Sequence, residues 1–203
     1  GVLSFVGFLW RQATAKQPMM PLALFRERNF AVGNVATFFI YGALGMSSFI
    51  LAVFLQQTGG WPATLAGAAA VPVPIFLRLR SSVFGGLSGK YGPRLFMTIG
   101  PILAGLGHLL MLTVTKEVNY WWQLLPGILL FGLGLSITVA PLTAAILGAI
   151  SEKRSGVGSA INNAIARVAG LIVVAMPGII VVGKLDVDGM HRALIVCAAM
   201  LIL

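Results

Sequence analysis

The chain has 203 residues, of which 58% are hydrophobic and 9% charged, and its formal net charge is +9. A soluble domain carries about 25% charged residues, and a core of this size cannot bury so much apolar surface, so the composition excludes an ordinary soluble domain and indicates a helical membrane protein. The basic residues lie in short segments between apolar runs, which is typical of membrane orientation signals and speaks against nucleic-acid binding.

The first 29 residues predict the end of one helix followed by a polar connector. Residues 1–10 are apolar but too few to cross a bilayer, which takes roughly 20 residues, so we expect them to end a preceding transmembrane helix. Residues 11–29 include Pro18, Pro21 and several charges, and they predict a cytoplasmic connector. Because the chain begins and ends inside apolar runs, we expect both ends to be cuts through helices of a longer protein.

Residues 30–203 predict a transmembrane domain of six helices, the last of them truncated. The five complete spans are predicted at residues 30–55, 61–77, 95–114, 120–150 and 157–182, with residues 183–191 as the last turn. Pro72 and Pro74 predict a kink in the second span, because proline removes a backbone hydrogen bond. Pro126, Pro141 and Pro177 are expected to interrupt later spans.

The distribution of basic residues predicts the orientation. Ten of the 14 Lys and Arg residues fall on the side of the first connector, three fall on the other side, and Arg167 falls within a span. Since cytoplasmic loops carry the excess of Lys and Arg, we expect residues 11–29, 78–94 and 151–156 in the cytoplasm. Trp61 and the run Tyr120, Trp121 and Trp122 fall at the opposite interface, where aromatic rings favour the headgroup layer.

The fifth span carries the most informative polar residues. Ser159, Asn163 and Arg167 are spaced by four, so they share one helical face, and Asn162 adds a polar group beside them. Arg167 lies roughly 15 Å along the axis from the start of this span. A charge at mid-membrane costs at least about 2.5 kcal/mol, which favours a side chain that lines a cavity or gate. The alternative is an arginine that snorkels to the surface or bonds backbone carbonyls.

The first span has a milder polar stripe, which covers about a third of the helix circumference. Its members are Asn34, Thr37, Tyr41, Gly45, Ser48, Ala52 and Gln56. The stripe is a candidate lining of a permeation path, with Asn34, Tyr41 and Ser48 as the candidate contacts. The alternative is hydrogen bonding between helices, worth about 0.6 kcal/mol per contact.

The remaining titratable residues do not predict catalysis. All five acids, Glu27, Glu117, Glu152, Asp186 and Asp188, fall in connectors. Two histidines, one cysteine and no paired intramembrane carboxylates cannot form a nucleophilic triad or a metal site, so we expect no enzyme, metal or cofactor. His108 in the third span is more typical of a packed residue than of a proton carrier. A titratable group for proton coupling is therefore expected outside this chain.

The segment GGLSGKYGPR at residues 85–94 resembles the signature loop of the major facilitator superfamily, Gly-x-Leu-Ala-Asp-Arg-x-Gly-x-Arg, which connects the second and third helices of a six-helix half. The corresponding residues are Gly85, Leu87, Gly89, Lys90, Gly92 and Arg94. Gly89 stands where the family has Asp, so the charge contacts of that Asp are not expected in this copy.

Three further segments are similar to the C-terminal domain of the fourteen-helix drug:proton antiporters of that superfamily: residues 24–30, 132–143 and 156–170. Arg78 and Arg80 depart from the pattern. Either they snorkel into the cytoplasm and shorten the second span, which then stops at Leu77, or this copy is divergent. The resemblance implies a six-helix half bundle with five full spans and a partial span at each end.

The resemblance also implies a function. It predicts a multi-pass protein of a bacterial inner membrane that exports drugs or amphipathic small molecules by proton antiport and alternating access. Its partners would be the bilayer, a small-molecule substrate, protons and an N-terminal transmembrane half outside this chain. The predicted cavity lies between the two halves. The alternative is a non-transporting scaffold or sensor, or an inactive remnant of a transporter.

Overall fold

The structure is a computed structural model that describes residues 2–14, 20–175 and 185–202, and these residues form helices without any strand. The main helices are α1 Val2–Thr14, α2 Arg28–Gln57, α3 Ala63–Ala68, α4 Pro72–Tyr91, α5 Pro93–Leu110, α6 Leu125–Gly148, α7 Ser155–Ala175 and α8 Val187–Ile202. Short 3₁₀ turns cover Leu22–Arg26, Met111–Thr113 and Glu152–Arg154, and a π turn covers Tyr120–Leu124.

Among the described residues, five helical segments are long and apolar enough to cross a membrane, which confirms the predicted all-α membrane fold. They are Arg28–Gln57, Ala63–Tyr91, Pro93–Thr113, Tyr120–Gly148 and Glu152–Ala175. The outer helices are shorter, with 13 residues in α1 and 16 in α8. Helix α1 continues to Thr14, so the first residues of the predicted connector are helical.

The second span differs from the prediction in its middle and at its end. The prolines separate two helices rather than kink one: α3 ends at Ala68, and Pro72 begins α4. Helix α4 then continues to Tyr91, so the predicted loop at residues 78–94 is wrong. Only Gly92, with a φ of +83°, separates α4 from α5. Unpaired backbone groups are costly in hydrocarbon, so the glycines of this segment remain helical, and only the left-handed position requires glycine.

The longer α4 moves two arginines from the expected cytoplasmic end into a helix interior. Arg78 and Arg80 are exposed on α4, about 20 and 16 Å along the axis before Tyr91. Helix α4 therefore continues past Leu77, where the second span was predicted to end. Hydropathy missed this because two charges in three residues resemble the end of a span.

The other proline and turn predictions have mixed outcomes. Pro126 lies in the first turn of α6, directly after the π turn, while Pro141 lies inside α6 without ending it. Pro177 lies outside the described residues, as do the last residues of the predicted fifth span and residues 183–184 of the predicted turn. Val187 begins α8, so the rest of that turn, to His191, is mostly helical.

Helix α2 lies at the centre of the bundle, where it packs against α6, α7 and α8. Its buried side chains include Phe30, Met46, Ile50 and Phe54. On the other side of α6, helices α4 and α5 complete the packing, and α5 also contacts α8. This arrangement places α2 and α7, which carry the predicted functional faces, side by side.

Two glycines on each of α5 and α6 allow the closest approach of two helices in the bundle. Gly107 faces Gly127, and Gly100 faces Gly134. The two glycines of α5 are therefore seven residues apart, and so are the two glycines of α6. A Cβ added to Gly107 would lie 2.6 Å from the Phe131 amide nitrogen and 2.7 Å from the Gly127 carbonyl oxygen. Small residues of this kind allow membrane helices to pack by van der Waals contact.

We expect Gly107→Ala to destabilise the protein by about 1–3 kcal/mol, because the new methyl group meets backbone atoms that cannot rotate away. Gly86→Ala on α4 is the matched control, since nothing lies within 4 Å of its added Cβ and alanine favours the helix. Equilibrium unfolding in detergent micelles measures both. Equal stability of the two variants would contradict the close contact.

Candidate functional site

The site is built where α2 and α7 run side by side in the same direction. Residues near the start of α2 meet residues near the start of α7: a Cβ on Gly158 would lie 3.3 Å from the Phe30 ring. Further along, a Cβ on Gly45 would lie 3.1 Å from the Gly170 Cα. The polar stripe of the first span and the polar face of the fifth are thus brought together, as both patterns require.

Three polar side chains join the two helices in their first half. The Asn162 amide donates to the Thr37 hydroxyl at 2.8 Å and to the Asn34 side-chain oxygen at 3.2 Å. Asn34 in turn donates to the Phe30 carbonyl and Thr37 to the Gly33 carbonyl, both at 2.9 Å. Asn34 and Thr37 are buried. This is the interhelical hydrogen bonding that the sequence offered as the alternative for this part of the stripe.

Beyond this cluster the two helices border an open groove of about 530 Å³, which we call the Arg167 groove. Its lining residues are Tyr41, Leu44, Gly45 and Ser48 of α2 and Ala166, Arg167, Gly170, Leu171 and Val174 of α7. Arg167 and Ser48 are exposed, and Tyr41 is half-buried. The structure therefore brings three predicted site residues, Tyr41, Ser48 and Arg167, into one groove.

The groove lies near the middle of both helices. Arg167 is about 18 Å along α7 from Ser155, and Tyr41 is about 20 Å along α2 from Arg28. Both distances exceed half the thickness of a hydrocarbon core of about 30 Å. The groove therefore combines a guanidinium and two hydroxyls, near the middle of two long apolar helices, with aliphatic walls.

The remaining predicted site residues lie nearer the start of α7. Asn163 is exposed one turn before Arg167, and Ser159 is half-buried a further turn back. Neither borders the Arg167 groove. Sequence reasoning missed the apolar walls, Leu44, Leu171 and Val174, because an apolar residue in a transmembrane helix carries no signal that separates a groove wall from a lipid contact.

The segment that resembles the signature loop forms the end of α4 and the start of α5. Lys90 and Arg94 are exposed on either side of the Gly92 turn, and Leu87 is half-buried. The buried Ser88 hydroxyl donates to the Gly85 carbonyl at 2.8 Å. Nothing lies within 4 Å of a Cβ added to Gly89, so the Asp of the family pattern would fit there sterically.

His108 lies apart from the groove and is completely buried. Its Nδ1 donates to the Ala104 carbonyl at 3.0 Å, and its ring stands edge-on to Phe131 at a centroid distance of 4.4 Å. Its Nε2 has no hydrogen-bond partner among the described residues. This geometry fits the packed role expected for a lone histidine.

Comparison with known proteins adds a family assignment. The model of the Major Facilitator Superfamily matches residues 7–203. The chain is 27% identical over 180 residues to the methylenomycin A resistance protein of Bacillus subtilis, which covers 89% of this chain and 39% of that protein. It is 30% identical over 164 residues to the multidrug resistance protein Stp of Mycobacterium tuberculosis, covering 77% and 29%.

A third relative is the probable actinorhodin transporter of Streptomyces coelicolor, 28% identical over 193 residues, which cover 91% of this chain and 33% of that protein. The chain thus spans less than two fifths of the length of each of these relatives. The resemblance predicted from the sequence is confirmed: the chain belongs to the major facilitator superfamily, and its relatives include two resistance proteins and a probable transporter.

We expect Asn162→Ala to lower the free energy of unfolding by about 1 kcal/mol, because two interhelical hydrogen bonds of about 0.6 kcal/mol each are lost. Asn163→Ala is the matched control, since that neighbour is exposed. Unfolding in micelles measures both, and a double-mutant cycle with Thr37→Val isolates the shared bond. Additive effects of Asn162→Ala and Thr37→Val would contradict the cluster.

Proposed function

We propose that this chain forms one half of a major facilitator transporter that exports drugs or other amphipathic small molecules by proton antiport. Membership of the superfamily makes it a multi-pass membrane chain of a transporter family. The observation that supports a transport role for these residues is the Arg167 groove, with its charged and hydroxyl groups near the middle of two helices long enough to cross a membrane.

An embedded guanidinium is tolerated when it faces water or protein rather than lipid. Arg167 is exposed on the surface of this bundle. A second six-helix half that covers α2 and α7 would enclose the Arg167 groove between the halves. Transporters of this class place their substrate near the midplane between such halves, which then rock to expose the site to each side in turn. We propose that arrangement here.

The names of the relatives support the substrate class. One confers resistance to methylenomycin A, one is a multidrug resistance protein, and one is named as a probable actinorhodin transporter. For this chain we propose export of compounds that combine an apolar body with polar groups, because the groove has aliphatic walls beside Tyr41, Ser48 and Arg167.

Proton coupling requires a group that gains and loses a proton within the membrane. All five acids of this chain lie in connectors or at helix ends, away from the groove. We therefore propose that the second half supplies the proton-carrying carboxylate, while this half supplies part of the substrate site. The bacterial inner membrane is the proposed location, with residues 11–29, the α4–α5 turn and residues 151–156 in the cytoplasm.

We expect Arg167→Ala in the full-length transporter to abolish efflux of substrate dyes without reducing the amount of protein in the membrane, because the groove loses its charged contact. Efflux from dye-loaded cells, with and without an uncoupler, measures transport and its proton dependence. Arg192→Ala, an exposed position in the first turns of α8, is the control. Wild-type efflux by Arg167→Ala would contradict the proposed role.

We expect single cysteines at Lys116 and Lys153 to be labelled from opposite sides of the membrane, because the positive-inside rule places Lys153 in the cytoplasm. Both positions are exposed, and Cys197, which is buried, is first replaced by alanine. A membrane-impermeant maleimide should label Lys116→Cys in intact cells and Lys153→Cys only after permeabilisation. The reverse pattern would invert the proposed orientation.

A further inference from the structure

We propose that the Arg167 groove recognises amphipathic organic anions, with a carboxylate on the Arg167 guanidinium and an apolar ring against Leu44, Leu171 and Val174. This inference rests on the proposed transport function and narrows its substrate class. Three observations support it: the position of the Arg167 guanidinium, the absence of Asp and Glu from the interior of the chain's own spans, and the shape of the groove.

The Arg167 guanidinium lies far along its helix from the acids of this chain. Arg167 lies about 18 Å from the start of α7, and the acid nearest to it along the chain, Glu152, precedes that start. The other four acids, Glu27, Glu117, Asp186 and Asp188, lie in connectors or at helix ends. No carboxylate of this chain therefore lies at the depth of Arg167. A partner of opposite charge must come from a bound molecule or from another chain segment.

The chemistry of the guanidinium indicates which anion fits the groove. A guanidinium presents parallel N–H donors that match the two oxygens of a carboxylate, and such charge-assisted pairs are stronger than neutral ones. Tyr41 adds a hydroxyl to the same groove. Phospholipid phosphates lie at the membrane surface, too far from mid-depth to occupy this position, so a free organic anion is the proposed ligand.

Glycines and aliphatic residues line the part of the groove that would contact the apolar ring of the ligand. Gly45 and Gly170 line the groove between the two helices, and nothing lies within 4 Å of a Cβ added to Gly170. A side chain at that position would project into open space rather than into the bundle. The aliphatic residues Leu44, Leu171 and Val174 line the groove around these glycines. A flat ring can therefore lie on the glycines beside the guanidinium.

The test uses three compounds that share one ring and differ in charge: naphthalene-2-carboxylate, naphthalene-2-carboxamide and 2-naphthylmethylammonium. Their binding to the full-length transporter in lipid nanodiscs is measured for the wild type, Arg167→Gln, Arg167→Lys and Gly170→Val. Arg192→Gln is the matched control, because it removes an exposed arginine of α8 by the same substitution. Protein that keeps its elution volume in detergent counts as folded.

We expect the wild type and Arg192→Gln to bind the carboxylate at least about tenfold more tightly than the amide, the difference that a charge-assisted hydrogen bond supports. Arg167→Gln should lose this preference, Arg167→Lys should keep part of it, and Gly170→Val should weaken all three compounds together. Equal binding of the three compounds to the wild type, or a carboxylate preference that survives in Arg167→Gln, would overturn the inference.

Two further outcomes separate this inference from the proposed function. If dyes are exported but the carboxylate has no advantage, the transport proposal stands and the anion proposal fails. If none of the three compounds binds and no dye is exported, the transport proposal itself fails. A last outcome is that Arg167→Gln separates this half from its partner half while the carboxylate preference persists. Arg167 would then pair with a carboxylate of the partner half, which also overturns the inference.

Discussion

Every backbone amide and carbonyl that crosses hydrocarbon must find its hydrogen-bond partner within the protein, and the rest of this structure depends on that constraint. It explains why α4 stays helical through Gly85, Gly86 and Gly89 although each glycine disfavours a helix by about 1 kcal/mol relative to alanine. It also explains why, within the described residues 63–110, the chain leaves the helical conformation only at short breaks, the turn before Pro72 and the single Gly92.

Once the helices are formed, their association needs contacts other than the hydrophobic effect, because lipid tails are as apolar as the side chains. The bundle uses two kinds. Paired glycines bring α5 and α6 into backbone contact, and Asn162 with Asn34 and Thr37 joins α7 to α2. The second contact lies toward the start of both helices. Past it, Gly45 lies close to Gly170, and larger residues of both helices line the Arg167 groove with them.

Hydropathy and spacing predicted five spans and the shared face of Ser159, Asn163 and Arg167, because both depend on single helices. The end of the second span was not predictable in this way, since Arg78 and Arg80 have the composition of a connector but the structure of a helix interior. The structure was also needed to separate the residues of the first-span stripe that bond to α7 from those that border the groove. Whether Asn34 meets Asn162 and Tyr41 meets the groove depends on how α2 and α7 are rotated against each other, and no single-helix pattern contains that angle.

The longer α4 has a consequence for the whole domain. Arg78, Arg80 and Arg167 lie about 20, 16 and 18 Å along their own helices from the ends that we propose to lie in the cytoplasm. Each would cost at least about 2.5 kcal/mol against lipid. Arg78 and Arg80 are two residues apart, so they point to different sides of α4 and cannot both be covered by one flat surface. In the proposed transporter, a second half that covers Arg167 would relieve the cost of that charge, and the same cover would convert the open groove on α2 and α7 into an enclosed site. In the proposed transporter, the guanidinium that is unfavourable against lipid would lie inside a closed interface, where the proposed anion would balance its charge.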